Sequence, residues 1–445
     1  MTAYILVTGL ALLAATIFFG IFTWTALRHA LAITLTAVFL VAGTGVSLAT
    51  WSIGTAIDRN ITLQYKEYWN GFELSAEEKS ITCRKNGRCK HTFQCDPEQV
   101  PVTTTDSEGN TVTKMKTEWQ SCPYSTEETT YSVSTTLGDF VYARNVPTGK
   151  QYRIGHRIPS HVETSPPKEW VAAKQRLDKG EPRGVTSINN YDNYLLGSDS
   201  EMQKRYAGDV ETLREQNLLP ELGTETFEHY RANKVHTVNY EPQHNFFEDV
   251  ENINGALGVD GKQGDLHVVL VGNSSEVNPD TYGNALMAYW QGKDFKRHAL
   301  AKNAIVVVIG VDEDTDTVEW ARGYTGMPVG NTGFTTAVMS RMPGLPVDSE
   351  LLGRPSYDIK TETVKHSDGA LETILWDSTV GFERVSMTGT DEDDVGSGFT
   401  HLKHSIKTSI TAVVLMTIFN LGFIVLLLMG AKKAVSTFSY RRESW

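Results

Sequence analysis

LHVVLVG at residues 266–272 and AIVVVIGVDEDTDTVEWAR at residues 304–322 decide how the central part of this chain reads. Each opens on a short apolar run ending in glycine. The length and β-branched content suit a strand covered on both faces. Between them Pro279–Gln291 reads as a helix, with Tyr282, Leu286 and Tyr289 at i, i+4 and i+7. Upstream, Val235–Tyr240 is a candidate strand, and Asn245–Leu257 is a candidate helix with Phe246, Val250, Ile253 and Leu257 on one face. Downstream, Val318–Arg322 is expected to pair after the acidic turn Asp312–Asp316. Strands alternating with helices predict an α/β sandwich.

Working toward the N-terminus, Pro166 and Pro167 open a helical pattern in which Trp170, Ala173, Lys174 and Leu177 share a face. A mostly helical stretch is expected up to Tyr230, with Tyr194, Leu195, Tyr206, Val210, Leu213, Leu218 and Leu219 as its apolar side. Before that, Ile61–Phe72 and Thr129–Tyr142 have strand composition and flank a polar stretch, Asp96–Thr117, with turn signals at Ser107–Asn110. Cys83, Cys89, Cys95 and Cys122 cluster here and read as two disulfides, with all three pairings open. A zinc site with His91 is the competing reading. Five-residue gaps between the first three cysteines fit the C-x₂₋₄-C spacing of structural zinc poorly.

Tyr4–Leu27, Leu31–Ile53 and Ile410–Ala431 are nearly free of charge, and each is long enough to cross a bilayer as a helix. No Lys or Arg precedes Arg28, which argues against a cleaved signal peptide. Arg28 and His29 lie between the first two spans, and Lys432, Lys433, Arg441 and Arg442 follow the third, so these flanks are expected in the cytoplasm. Lys403 and Lys407 lie on the opposite side. The N-terminus and Asp58–Ser405 are then extracytoplasmic, the compartment in which disulfides persist. No ionisable residue interrupts the apolar cores of the spans, which disfavours a channel or transporter, and no lipidation motif is present.

The expected organisation is an α+β membrane protein: a two-span hairpin at 1–57, a cysteine-containing β-rich module at 58–158, a helical module at 159–233 and an α/β domain at 234–390. An acidic, glycine-containing linker at 391–408, a third transmembrane helix at 409–431 and a basic cytoplasmic tail at 432–445 complete it. The net charge of −12 and the lack of a basic stripe exclude nucleic acid as an expected partner.

Asp312-Glu-Asp314-Thr-Asp316 follows a buried strand and begins like an EF-hand loop. Thr317 stands where that loop needs glycine and Gly323 where it needs a bidentate glutamate, so an EF-hand is excluded. A looser calcium or magnesium site formed by Asp312, Asp314 and Asp316 is the one metal candidate, beside the plainer reading of a solvated turn. Asp391–Asp394, followed by Gly396-Ser-Gly398, reads as a solvated linker. No nucleophile elbow, H-E-x-x-H or phosphate-cradling loop is present, His156, His236 and His366 lack metal-ligand neighbours, and no catalytic residue is nominated. Asn60-Ile-Thr62 and Asn273-Ser-Ser275 are glycosylation acceptors where the host has that machinery.

The order LHVVLVG, DTYGNALMAYWQ and AIVVVIGVDEDTDTVEWARGYTG resembles the TPM domain family of thylakoid-lumen, photosystem II repair and nematode receptor-modulator proteins. The resemblance covers His244–Asn331 and extends toward Met387. Tyr282, Trp290, Asn303 and Arg322-Gly-Tyr324 carry it; Ala304 replaces the usual glycine, and the Gly-Tyr-Gly turn is opened to Gly323-Tyr-Thr-Gly326. The resemblance implies a membrane-tethered α/β domain of a kind that assists assembly or repair of membrane complexes or modulates a receptor, with calcium binding or acid phosphatase activity in some members. The leading expectation is a non-enzymatic protein whose TPM-like domain binds or scaffolds a membrane or envelope component, with the lipid bilayer and a protein partner or self-association as its contacts. The alternatives are a metal-dependent extracytoplasmic phosphohydrolase, using the three aspartates to polarise a phosphoryl group, and a structural protein of a viral envelope.

Overall fold

A computed structural model describes the chain except residues 1, 27–28, 106–110, 152–156, 199–204, 224–225, 228–229, 273, 388–397 and 444–445. Arg28, the Ser107–Asn110 turn, His156, Asn273 and the acidic run Asp391–Asp394 thus lie outside the described residues. The chain forms two compact units, Met1–Tyr65 with Asn190–Glu201 and Ser386–Trp445, and Lys66–Asn189 with Met202–Val385.

The first unit contains helix α1 (Thr2–Ala26), helix α2 (His29–Leu63) and a C-terminal helix (Ile410–Glu443). All three are long and apolar enough to cross a membrane. Two outrun the expected spans, because the chain after Ile53 and after Ala431 has no proline and a helix already nucleated extends at little cost. Ile61–Leu63, expected as strand, is the last turn of α2. Asn60 is exposed near that end of the helix. Asp58 accepts from Ser409 N (2.8 Å) and Ser409 Oγ (2.7 Å), placing a carboxylate at the N-terminus of the C-terminal helix, where its dipole favours an anion.

The second unit holds two four-stranded sheets. One has the order β5-β4-β1-β6, from β1 (Gln64–Thr82), β4 (Ser125–Thr135), β5 (Gly138–Gln151) and β6 (Gly184–Asp192). Helix Lys168–Lys179 lies against it: Trp170 is buried beside Tyr131 (ring centroids 4.8 Å) and donates its indole N–H to Ser132 O (2.9 Å). Gly180, in the left-handed region, ends that helix. The stretch expected to be mostly helical therefore contains a strand. Val185, Thr186 and Ile188 favour extended backbone, and the sheet edge offers β6 a neighbour in β1.

After a short antiparallel pair, β7 (Thr226–Phe227) and β8 (Arg231–Ala232), the other sheet has the order β12-β11-β10-β9, from β9 (Val235–Val238), β10 (Asp265–Val271), β11 (Ala304–Asp312) and β12 (Thr317–Thr325). β9, β10 and β11 are parallel, and β12 returns antiparallel after the acidic turn. Every residue of β10 is buried: Leu266 and Val268–Val271 as their apolar character predicts, and Asp265 and His267 despite theirs. Leu266, Val268 and Leu270, with Ile305, Val307 and Ile309, face helix Phe246–Val259 and helix Thr332–Arg341; Phe246, Val250, Ile253 and Leu257 supply the helix side as expected. Val269, Val271, Val306 and Val308 face helix Pro279–Trp290 through Tyr282, Leu286 and Trp290. The two crossover helices thus cover opposite faces although the strand order advances in one direction, so one crossover takes the uncommon left hand.

The two sheets meet where helix Phe246–Val259 touches β1. A Cβ on Gly258 would sit 1.8 Å from the Asn70 carbonyl oxygen, so glycine there is what lets helix and strand backbones touch. Cys83–Cys89 and Cys95–Cys122 are the disulfides. The described residues of Asp96–Thr117, read as polar and turn-rich, lie within a ribbon of β2 (Thr92–Thr105) and β3 (Thr111–Pro123). Both faces of most of that ribbon are solvated, so no apolar alternation announced its strands.

Candidate functional site

Ionisable side chains concentrate at the N-terminal ends of β9 and β10. Lys234, 3% exposed, donates from Nζ to Asn70 Oδ1 (2.8 Å), Thr186 Oγ1 (3.0 Å) and the carboxylate of Asp265, which is 0% exposed. Asn70 Nδ2 also donates to Asp265 (3.1 Å), and the other Asp265 oxygen meets His267 Nε2 at 3.0 Å. Burial pushes the Asp265 carboxyl up, but the charge of Lys234 and the neighbouring His267 outweigh it and hold the group below the ordinary carboxylate range. His236 packs against both His267 (5.9 Å) and Trp290 (4.9 Å); burial, then the neighbouring His267, lowers its pKa to about 3. With its ions this deeply enclosed, the cluster gives a substrate no access. It joins β1 and β6 of one sheet to β9 and β10 of the other.

A second joint centres on Glu73, whose buried carboxylate accepts from Arg176 (2.8 Å), the Arg183 backbone N–H (3.1 Å) and Tyr230 Oη (2.8 Å). Burial, then the Glu73 charge, pushes the Tyr230 hydroxyl far above its usual range.

The nominated aspartates sit at the opposite end of the parallel strands. Asp312 closes its own turn, accepting from Asp314 N (3.0 Å) and Thr315 Oγ1 (2.8 Å). Asp316, in the left-handed region, accepts from Tyr240 Oη (2.6 Å). Burial and that hydrogen bond push the Tyr240 hydroxyl well up. Nearby, Ser274 donates to Val311 O (2.9 Å) and bonds Glu319. Among the described residues, three metal-ligand atoms lie within 4.8 Å of one another at Cys83, Cys89 and Glu128 and at Cys95, Asp96 and Cys122; those sulfurs are committed to disulfides. Asp312, Asp314 and Asp316 share one turn, with two of the three occupied by hydrogen bonds from the protein.

A polar cleft of about 490 Å³ is lined by Arg214, Glu221, Tyr289, Asp294 and His298 among others. Its charges compensate one another: Tyr289 Oη donates to Glu221 (2.5 Å), Arg214 meets Asp294 (3.3 Å), and the Arg214 guanidinium lies 5.2 Å over the Tyr289 ring. Burial and the Glu221 hydrogen bond push the Tyr289 hydroxyl up to about 12.

Outside the three long apolar helices, the ribbon of β2 and β3 carries the two most exposed large apolar side chains among the described residues. Among the described residues its two strands pair with each other and with no third. Its base is fixed: Cys95–Cys122 staples the strands, Phe93 packs on Tyr124 (5.1 Å), and Asn86 exchanges bonds with Ser121 (both 2.8 Å). Glu128 accepts from the Lys90 and His91 backbone N–H groups (2.9 and 2.7 Å), holding the loop between Cys89 and β2. Beyond that base, Met115 is 62% and Trp119 53% exposed, both on the same side of β3. The sequence reading passed over these residues. The signal available to it was the alternation Lys114-Met115-Lys116-Thr117-Glu118-Trp119, which puts two large apolar groups on one face and three charges on the other. Comparison of the chain with family models, with curated proteins and with solved structures finds no match in any of the three.

Proposed function

We propose that this chain is a membrane-anchored binding protein, held in the bilayer by its three long apolar helices, whose extracytoplasmic folded unit engages a protein partner through the β2–β3 ribbon. The observation that carries this reading is the ribbon itself: a rigidly stapled base and a distal part that displays Met115 and Trp119 to solvent. A two-stranded ribbon is marginal alone, and exposed Trp and Met are enriched at protein interfaces. The extracytoplasmic placement is supported by two disulfides and by the basic flanks at Arg28, Lys432 and Lys433. Within this reading, residues 234–390 are the TPM-like domain, supported by the alternation of strand and helix from Val235 to Thr325. The ion cluster at Lys234 then serves to hold the two sheets together, and that at Glu73 ties β1 to helix Lys168–Lys179 and to the start of β6.

The test is crosslinking in the native membrane followed by detergent extraction and sizing. The chain is expected in a discrete species larger than one copy, and Met115→Ser with Trp119→Ser is expected to reduce that species at least fivefold without changing Tm, since both side chains are solvated. Recovery of the chain alone before and after substitution would sink the reading.

A further inference from the structure

We propose that the partner on the ribbon is a second copy of this chain, its β3 strand laid antiparallel against the free edge of the first β3 with Thr117 on the two-fold axis. This deepens the binding function just proposed and rests on it. The two edges of the ribbon are not equivalent. β2 carries Pro101, in register with Met115, and Pro97, in the irregularity between Cys95 and Glu98; neither has an N–H to offer, so the β2 edge is a poor template for a further strand. β3 has no proline from Thr111 to Cys122, and short of Ser121, whose outer groups bond Asn86, its outer N–H and C=O groups form a template for β-augmentation.

What selects a second copy is the order of side chains. In a two-fold antiparallel pair, opposite residues lie on the same face, so the axis must pass through a residue. With the axis on Thr117, Lys116 faces the other copy's Glu118, and Glu118 faces its Lys116. Met115 and Trp119 then oppose each other on the other face, and Lys114 meets Gln120. An axis on Met115 would set Lys114 against Lys116 twice; one on Lys116 or Glu118 would set a charge against its own copy. Lys116 and Glu118 already lie side by side within one strand, 3.6 Å apart and largely exposed, so both are free to exchange an intrastrand partner for a cross-strand one. Lysines on an edge normally discourage pairing. Here the alternation with Glu118 makes one register with one partner favourable.

The experiment uses the full chain in its native membrane. Its four cysteines are paired, so an introduced cysteine has no thiol competitor. Thr117→Cys is expected to form a disulfide-linked dimer on mild oxidation, because symmetric antiparallel neighbours fall within disulfide reach, whereas Thr103→Cys on the β2 edge is expected to stay monomeric. In the Thr117→Cys background, Lys116→Glu is expected to lower the dimer yield at least fivefold, and adding Glu118→Lys to restore it. Equal yields from Thr117→Cys and Thr103→Cys, or no restoration by the double charge exchange, would overturn the proposal. If the Met115- and Trp119-dependent species persists while Thr117→Cys gives no dimer, self-pairing is overturned and binding of a different protein stands.

Discussion

His236 sits at the start of β9 with no hydrogen-bond partner on Nε2 among the described residues, against the rings of His267 and Trp290. Neutral imidazole is accepted there; imidazolium would have to shed its hydration beside a second histidine. Its folded pKa of about 3 lies below the ordinary value of 6.5, so on acidification the unfolded chain takes up this proton first. The stabilisation is present in full above about pH 6.5 and is lost as pH falls from there toward 3, with about 2 kcal/mol gone by pH 5. Thermal midpoints of the wild type are therefore expected to fall between pH 7 and pH 5 more steeply than those of His236→Phe, which keeps a ring against Trp290 without a titrating group. Equal slopes would remove His236 as the cause. Asp265, held below the usual carboxylate range, contributes in a separate window, present above about pH 4 and lost below it. Lys234→Met tests the same cluster at neutral pH: it strands the Asp265 charge, and a loss of about 3–5 kcal/mol is expected in denaturant titration. A loss under 1 kcal/mol would mean that water reaches this carboxylate.

At the scale of elements, helix Phe246–Val259 does two tasks: its apolar face covers the mixed sheet, and its glycines meet β1. Gly258→Ala sets two effects against each other. Alanine improves helix propensity by about 1 kcal/mol. The added Cβ, 1.8 Å from Asn70 O, meets backbone and has nowhere to turn, and a net loss of about 1–3 kcal/mol is expected in denaturant titration. A stabilised Gly258→Ala would mean that helix and strand separate readily. The apolar face of this helix was legible in sequence because Phe246, Val250, Ile253 and Leu257 repeat with helical period, as were β10 and β11 from their short, valine-rich apolar runs. Gly255 and Gly258 were not, since what they contact comes from β1, remote in sequence. β6 was missed because its pattern is weak and its place depends on β1, and the ribbon strands because a solvated two-stranded element has no buried face to set a period of two. Of the candidate site, the acidic turn was legible from composition alone. The cluster of Lys234, Asp265 and Asn70 was not, since a single Lys or Asp at a strand end reads as solvent-facing until the other sheet is known to cover it.

At the scale of the whole molecule, the first unit packs α1 and α2 against the C-terminal helix. Leu6, Ile21, Val41, Leu48 and Phe419 all face outward and are more than half exposed, a surface that hydrocarbon tolerates and water does not. Apolar matching among such helices does not fix a register, because lipid competes on equal terms. The polar contacts do. Asn420 Nδ2 donates to Tyr4 Oη (3.2 Å) and Ser47 Oγ (2.9 Å), and Tyr4 Oη donates to Ser47 O (2.9 Å), so one amide joins α1, α2 and the C-terminal helix. Asn420 is fully buried, and in a bilayer its amide has no alternative partner as good. Asn420→Leu keeps the volume and the apolar packing while removing all of these bonds from the C-terminal helix. Interhelical polar contacts contribute about 0.6 kcal/mol on average and up to about 1.7, so a loss of about 1–2 kcal/mol is expected when the variant is unfolded by SDS titration. The substitution is also expected to free the C-terminal helix to rotate, read as a spread of disulfide yields between cysteines placed along it and along α1 where the wild type gives one dominant pair. An unchanged SDS midpoint with the same dominant pair would show that packing of Leu12, Phe19, Phe39 and Ile424 sets the register without the amide.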